Sequence, residues 1–220
     1  MSSIVSPGLR DRVRGGVAPI ARAFGRVGLT PNTLTVIGFG IAVLAAWRAA
    51  VQDWLAAALL VAFGAAFDLL DGALARATGR ASRLGAFLDS VLDRAGEAVV
   101  YIGIAIAFLV GRFHSVQAVL PMAAMGAAFM VSYTRAKAES LGFTPGSGLA
   151  NVGFAPREVR VVILTVGLLL THFGGGIGEP PFAPAGEYYL VLTLALITLL
   201  ASITVIQRIV HVYLQAKKEP

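Results

Sequence analysis

Apolar residues in this chain come in long, nearly unbroken blocks, and that arrangement limits its possible folds more than any other feature. Six segments stand out, at roughly residues 33–50, 54–72, 84–110, 115–134, 159–173 and 187–212. They lack the polar stripe that a helix on a soluble domain turns toward water. Their lengths suit a hydrocarbon layer about 30 Å thick, with allowance for tilt. The fifth is the shortest. The expected fold is all-α: an integral membrane bundle of six transmembrane helices. Composition agrees, with 57% hydrophobic and 14% charged residues, where a soluble domain carries about a quarter charged. A chain of 220 residues fits a single membrane domain. No cysteine is present, which excludes disulfides, zinc–thiolate sites and iron–sulfur clusters.

The net charge is +6. In a soluble protein that excess would raise nucleic acid as a partner; here topology explains it. With the N-terminus inside, sixteen of the 18 basic residues fall on the inner side, and only Arg48 and Arg112 fall outside. The positive-inside rule then puts both termini in the cytoplasm of a multi-pass cell-membrane protein. No nucleic-acid partner is expected. Residues 1–28 carry Arg10, Arg12, Arg14, Arg22 and Arg26 among apolar residues. They read as an amphipathic helix on the cytoplasmic membrane surface, its arginines toward anionic headgroups, or as a plain basic tail. The transmembrane domain is expected over 29–215.

Against this apolar background, the stretch FDLLDGALARATGRASRLGAFLDSVLDRAGE places Asp68, Asp71, Asp89, Asp93 and Glu97 within 31 positions. Asp68 and Asp71 are spaced i, i+3 at the inner end of the second span, on one helical face. Gly85, Asp89 and Asp93 are spaced i, i+4, i+8 on the third. A short connection predicts that these two helices are antiparallel neighbours and that the four aspartates point into one cleft between them. The small residues Gly72, Ala75 and Gly85 allow close helix approach. Four clustered carboxylates near hydrocarbon need positive partners. Hard divalent cations fit, because magnesium and manganese prefer oxygen ligands shared with substrate phosphates. Ion pairs with Arg76, Arg80, Arg83 or Arg94 would explain one isolated acid, but not four on two helices.

The pattern Asp68-x2-Asp71-Gly72-x2-Ala75-Arg76-x8-Gly85-x3-Asp89-x3-Asp93 resembles the signature of the CDP-alcohol phosphotransferases, and the six-span layout with a surface helix is similar to that family too. The resemblance implies a membrane enzyme of phospholipid synthesis, a CDP-alcohol phosphatidyltransferase. It would move a phosphatidyl group from CDP-diacylglycerol to a polar alcohol and release CMP. It implies two Mg2+ or Mn2+ ions held by Asp68, Asp71 and Asp89, with Asp93 also approaching the metals and serving as general base. Gly72, Ala75 and Arg76, with Asp68, would face the CDP group. Pro31 and Asn32 in LTPNTLT would line its nucleotide side. The same TPN reads as a helix start, with Thr30 as cap and Pro31 in the first turn. The displacement can be direct or pass through a covalent intermediate. A homodimer is expected by analogy.

The acceptor is less constrained. Ser132, Arg135 and Lys137 lie in VSYTRAKAESLGF at the end of the fourth span, and Arg157 and Arg160 in PREVR before the fifth. Arginine forks suit phosphate. The SYxxAxAE run is similar to the phosphatidylinositol phosphate synthase branch, which implies an inositol phosphate acceptor bound by these five residues. The Arg/Glu segment is spaced differently from that branch, so glycerol 3-phosphate, as in a phosphatidylglycerol phosphate synthase, is the alternative. The same charges also suit plain cytoplasmic loops. A reading of another class is a divalent-cation transporter. Against it, the acids gather on one side, and Asp53, Glu179 and Glu187 lie outside the spans.

Overall fold

The computed structural model describes residues 29–79, 82–110, 115–143, 152–174 and 186–217, and within them the chain is all helical. The expected surface helix over 1–28 lies outside the described residues. The helices are α1 (Pro31–Ala50), α2 (Trp54–Thr78), α3 (Arg83–Val110), α4 (Val119–Ser140), α5 (Arg157–Phe173) and α6 (Glu187–Ala216), with a short 3-10 turn at Ser115–Ala118.

Local chemistry sets the helix boundaries. Thr30 has extended backbone and its hydroxyl accepts from the Thr33 amide at 3.2 Å, with Pro31 opening the helix. The amide that proline lacks would have been unsatisfied there anyway. Asp53 caps α2 by accepting from the Ala56 amide at 3.2 Å. Gly79 ends α2 at φ +65°, a left-handed conformation that glycine reaches without strain. The Ser82 hydroxyl accepts from the Gly85 amide at 3.0 Å at the start of α3.

α1 packs lengthwise on both α2 and α3, α2 packs on α5, and α6 packs on α4 and α5. Among the described residues α2 and α3 do not pack along each other. This corrects the expectation that the two aspartate-bearing helices are direct neighbours. α1 enters between them because its contact face is built of alanines. Ala45 and Ala49 are fully buried, and a Cβ on Gly103 of α3 would stand 2.2 Å from the Ala46 carbonyl oxygen. Backbone approach that close is available only to glycine, and it is what helices without large interfacial side chains achieve in lipid. A cleft is left between α2 and α3, walled by α1 on one side and α5 on the other.

The central core is formed by Tyr101, Ile104, Phe108, Leu164, Leu168, Leu190, Leu194 and Ile197 with small residues of α1, α2 and α4. The outward faces are apolar too: Phe63, Val110, Phe173, Leu199 and Ile206 are all more than half exposed. Contiguous exposed apolar surface on this scale needs a non-aqueous neighbour. By length and composition alone, α1 and α6 are each sufficient to cross a membrane. α5, at 17 residues, is shorter, and α2 and α3 carry the acidic residues within their lengths.

Candidate active site

Three helices bring charged groups to one point at one end of the bundle. Asp68 comes from the second half of α2, Asp93 from the first half of α3, and Arg157 is the first residue of α5. One terminal guanidinium nitrogen of Arg157 donates to Asp68 Oδ2 at 2.6 Å and lies 3.1 Å from Asp93 Oδ1. A single cationic nitrogen thus bridges carboxylates from two helices whose described residues do not pack along each other. Arg94 lies 3.6 Å from the other Asp93 oxygen and donates to the Ser90 carbonyl at 2.8 Å. Asp89 adds negative charge felt by both Asp68 and Asp93. The side chains of Asp71, Gly72 and Arg76 lie outside the described residues; their positions on α2 are helical.

A cleft extends from these groups into the bundle. Its mouth is polar, with Thr35, Asp68, Asp93 and Arg157, and its deeper walls are Ala42, Leu60, Val61, Val100 and Leu164. Gly38 forms one side: a Cβ there would come within 3.5 Å of Asp68 Oδ1. Asn32, at the start of α1, reaches α3 at Gly85, where an added Cβ would lie 3.0 Å from its Oδ1. Asn32, expected on the nucleotide side, thus stands against α3 one turn before Asp89. Leu29 and Phe67 pack on the buried Leu34 and Leu74, fixing the start of α1 on the end of α2.

The carboxylates suit a divalent cation by donor chemistry and by the bridging geometry, because two acidic oxygens from separate helices already share one positive group. Among the described residues no three metal-ligating side chains converge as a ready set. The second aspartate of the motif, Asp71, has its side chain outside the described residues.

The basic residues expected to bind an acceptor fall into two groups. Arg157 sits in the cleft, and its Nε is buried without a partner. Arg160 is 1% exposed. Its Nε and Nη2 donate to the two oxygens of Glu97, each at 2.7 Å, and its Nη1 donates to the Ala155 carbonyl at 2.8 Å. All three nitrogens are engaged, so Arg160 binds protein here, not an incoming phosphate. On α4, Arg135 Nε donates to Glu139 one turn along at 2.8 Å, and Lys137 and Arg135 are exposed. Among the described residues no hydrogen bond or ion pair joins Ser132, Arg135 or Lys137 to Asp68 or Asp93. Arg208, read from the sequence as one more inner-side charge, is instead buried. It donates to the carbonyls of Val131 on α4 and Val152 ahead of α5, and the Thr204 hydroxyl accepts from the Phe154 and Ala155 amides at 3.0 Å. Together they tie the start of α5 and the end of α4 to α6. The only hint in the sequence was a lone arginine inside an otherwise apolar 30-residue helix.

Known proteins share this sequence pattern and this fold. The chain is 38% identical over 161 residues to the archaetidylinositol phosphate synthase of Pyrococcus horikoshii, covering 73% of this chain and 80% of that one. It is 37% identical over 195 residues to the phosphatidylinositol phosphate synthase of Cutibacterium acnes, covering 88% and 90%. The crystal structure of Mycobacterium tuberculosis phosphatidylinositol phosphate synthase with CDP-DAG bound superposes with a TM-score of 0.75 at 30% identity, over 90% of this chain and 93% of that one. The same enzyme in complex with manganese and citrate gives 0.76 at 31% identity, over 90% and 88%. Residues 28–214 match the family described as CDP-alcohol phosphatidyltransferase, and the chain belongs to that family.

Proposed function

We propose that this enzyme transfers a phosphatidyl-type group from CDP-diacylglycerol, or its ether-lipid counterpart, to inositol phosphate, releasing CMP. The observation that carries the reading is the convergence of Asp68 and Asp93 on one cationic group, the Arg157 guanidinium, in a chain whose relatives are named for inositol phosphate lipids. Asp68, Asp71, Asp89 and Asp93 would hold divalent cations, two by family analogy. When bound, these supply positive charge that neutralises the donor diphosphate. Arg76, with Gly72 and Ala75, faces the CDP group, and Pro31 and Asn32 border its nucleotide end.

Asp93 takes the proton from the acceptor hydroxyl. The freed oxygen forms a bond to the lipid-bearing phosphorus, and the bond from that phosphorus to the CMP oxygen breaks. CMP leaves with the electron pair. Arg157, with a donor left over, neutralises the acceptor phosphate, and Ser132, Arg135 and Lys137 complete the pocket from α4. Arg160 supports Arg157 from behind.

Six transmembrane helices would account for the exposed apolar faces. Asn32, Asp68, Asp93, Arg157 and Arg208 then share one end of the bundle. Counting basic residues makes that end cytoplasmic, with both termini there. A homodimer follows by family analogy.

Purified protein with magnesium is given CDP-diacylglycerol and, in separate reactions, inositol phosphate, glycerol 3-phosphate, serine or free inositol. Lipid products are analysed, and a parallel set uses an ether-lipid donor. Product only with inositol phosphate is expected. Product only with glycerol 3-phosphate would move the assignment to phosphatidylglycerol phosphate synthesis. Product only with serine or free inositol would defeat the phosphate pocket.

A further inference from the structure

Two ion pairs cross from α3 to α5 in register. Asp93 and Glu97 are one turn apart on α3, and Arg157 and Arg160 are nearly one turn apart on α5, spacings that put each couple on one helical face. Asp93 meets Arg157 at 3.1 Å, and Glu97 meets Arg160 through a two-pronged contact at 2.7 Å. The two pairs differ. In the outer one the side chains are 16% and 26% exposed, and Arg157 keeps an unused buried donor. In the inner one they are 9% and 1% exposed, and every arginine nitrogen has a partner.

Backbone packing does not explain the register, since α5 packs on α2 and α6 and not along α3. Stability does not explain the inner pair well either. A buried ion pair roughly breaks even against well-packed apolar side chains of the same volume. What it can supply is geometry, because a bidentate arginine–carboxylate contact tolerates little rotation or slip.

We propose that Glu97 and Arg160 are positioning residues: their pair fixes α5 against α3 so that the Arg157 guanidinium stands between Asp68 and Asp93. The claim rests on the function proposed above for what Arg157 does, but not for where it stands. Arg160 also donates to Ala155, whose amide is held by Thr204 of α6. The pair therefore locks the start of α5 from two sides before any substrate arrives.

Arg160→Lys and Glu97→Asp test this, because each keeps the charge and breaks the two-pronged fit. Both are made in wild type and in Arg157→Gln. Initial rates of CMP release are measured against acceptor and CDP-diacylglycerol separately, alongside Mn2+ affinity by electron paramagnetic resonance. Misplacing a contact by an ångström costs up to about 100-fold, so Arg160→Lys is expected to lower kcat/KM for the acceptor about 10- to 100-fold, chiefly through KM. The KM for CDP-diacylglycerol should stay within about 2-fold, and in Arg157→Gln the added Arg160→Lys should change rates less than about 2-fold, because residues acting through one group are not additive. Mn2+ affinity should rise in Arg160→Lys and in Arg157→Gln alike, since both loosen a cation from the ligand carboxylates.

Equal losses for both substrates, or a full multiplicative loss on top of Arg157→Gln, would overturn the proposal, as would both charge-conserving variants failing to fold. Wild type that releases no CMP with any acceptor would overturn the functional reading instead. The positioning claim would then be judged on Mn2+ affinity alone, and unchanged affinity in Arg160→Lys would refute it.

Discussion

Replacing Gly103 with alanine tests the helix arrangement that creates the cleft. The new Cβ would stand 2.2 Å from the Ala46 carbonyl oxygen and 2.8 Å from both the Ala46 carbonyl carbon and Cα. All three are backbone atoms, so no side-chain rotation relieves the clash. α1 and α3 must separate by roughly 1 Å, and a gap of that size forfeits a quarter to a half of each dispersion contact along the seam. Overpacking costs about 1–3 kcal/mol; with rigid backbone on both sides the upper end applies, about 3 kcal/mol. For a domain of this size that corresponds to a fall of about 6–12 °C in Tm. Because α1 also borders Asp68 at Gly38 and Gly85 at Asn32, turnover should fall with stability. The assay is thermal unfolding in detergent followed by size-exclusion chromatography, with Gly126→Ala as control. Gly126 lies inside α4 with nothing within 4 Å of an added Cβ, so that change should be neutral or stabilising by up to about 1 kcal/mol. If Gly103→Ala melts with wild type, or no lower than Gly126→Ala, the close α1–α3 contact is wrong and the wedge between the aspartate helices goes with it.

Other expectations can be checked with the same protein. Thr204→Val removes the acceptor for two backbone amides, one of them fully buried. It should cost about 1–3 kcal/mol, the usual penalty for an orphaned buried donor, and should reduce turnover by loosening the start of α5; an unchanged Tm would contradict this. EDTA should abolish CMP release, and added Mg2+ or Mn2+ should restore it; full activity in EDTA would remove metal from the account. Asp93→Asn should eliminate CMP release and leave the melting temperature within a few degrees, because the side chain keeps its shape; near-wild-type turnover would rule out Asp93 as the base.

What was legible in the sequence was local or carried by spacing. The Thr30–Pro31 start of α1 can be seen in three residues, because a cap and its first turn are neighbours in the chain. The inward grouping of Asp68 and Asp93 follows from helical period and topology. Which helix packs on which was not legible: a short connection between α2 and α3 suggested contact, whereas the order is decided by Gly103 meeting Ala46 across two helices. Roles of the arginines were obscured for a different reason. Arg160 and Arg208 look like any inner-side cations under a charge-counting rule, and only burial and partners separate them. One is consumed by Glu97 and Ala155 and the other by two carbonyls, while Arg157 remains the one facing the acids.

Mn2+ titration by electron paramagnetic resonance, on wild type and on Asp68→Asn and Asp93→Asn separately, probes most directly whether α2 and α3 share a cation. Saturable binding in wild type that is lost or weakened at least about 10-fold by either substitution is predicted, since each removes a charged ligand from the same ion. Binding that survives both substitutions unchanged would contradict a shared site.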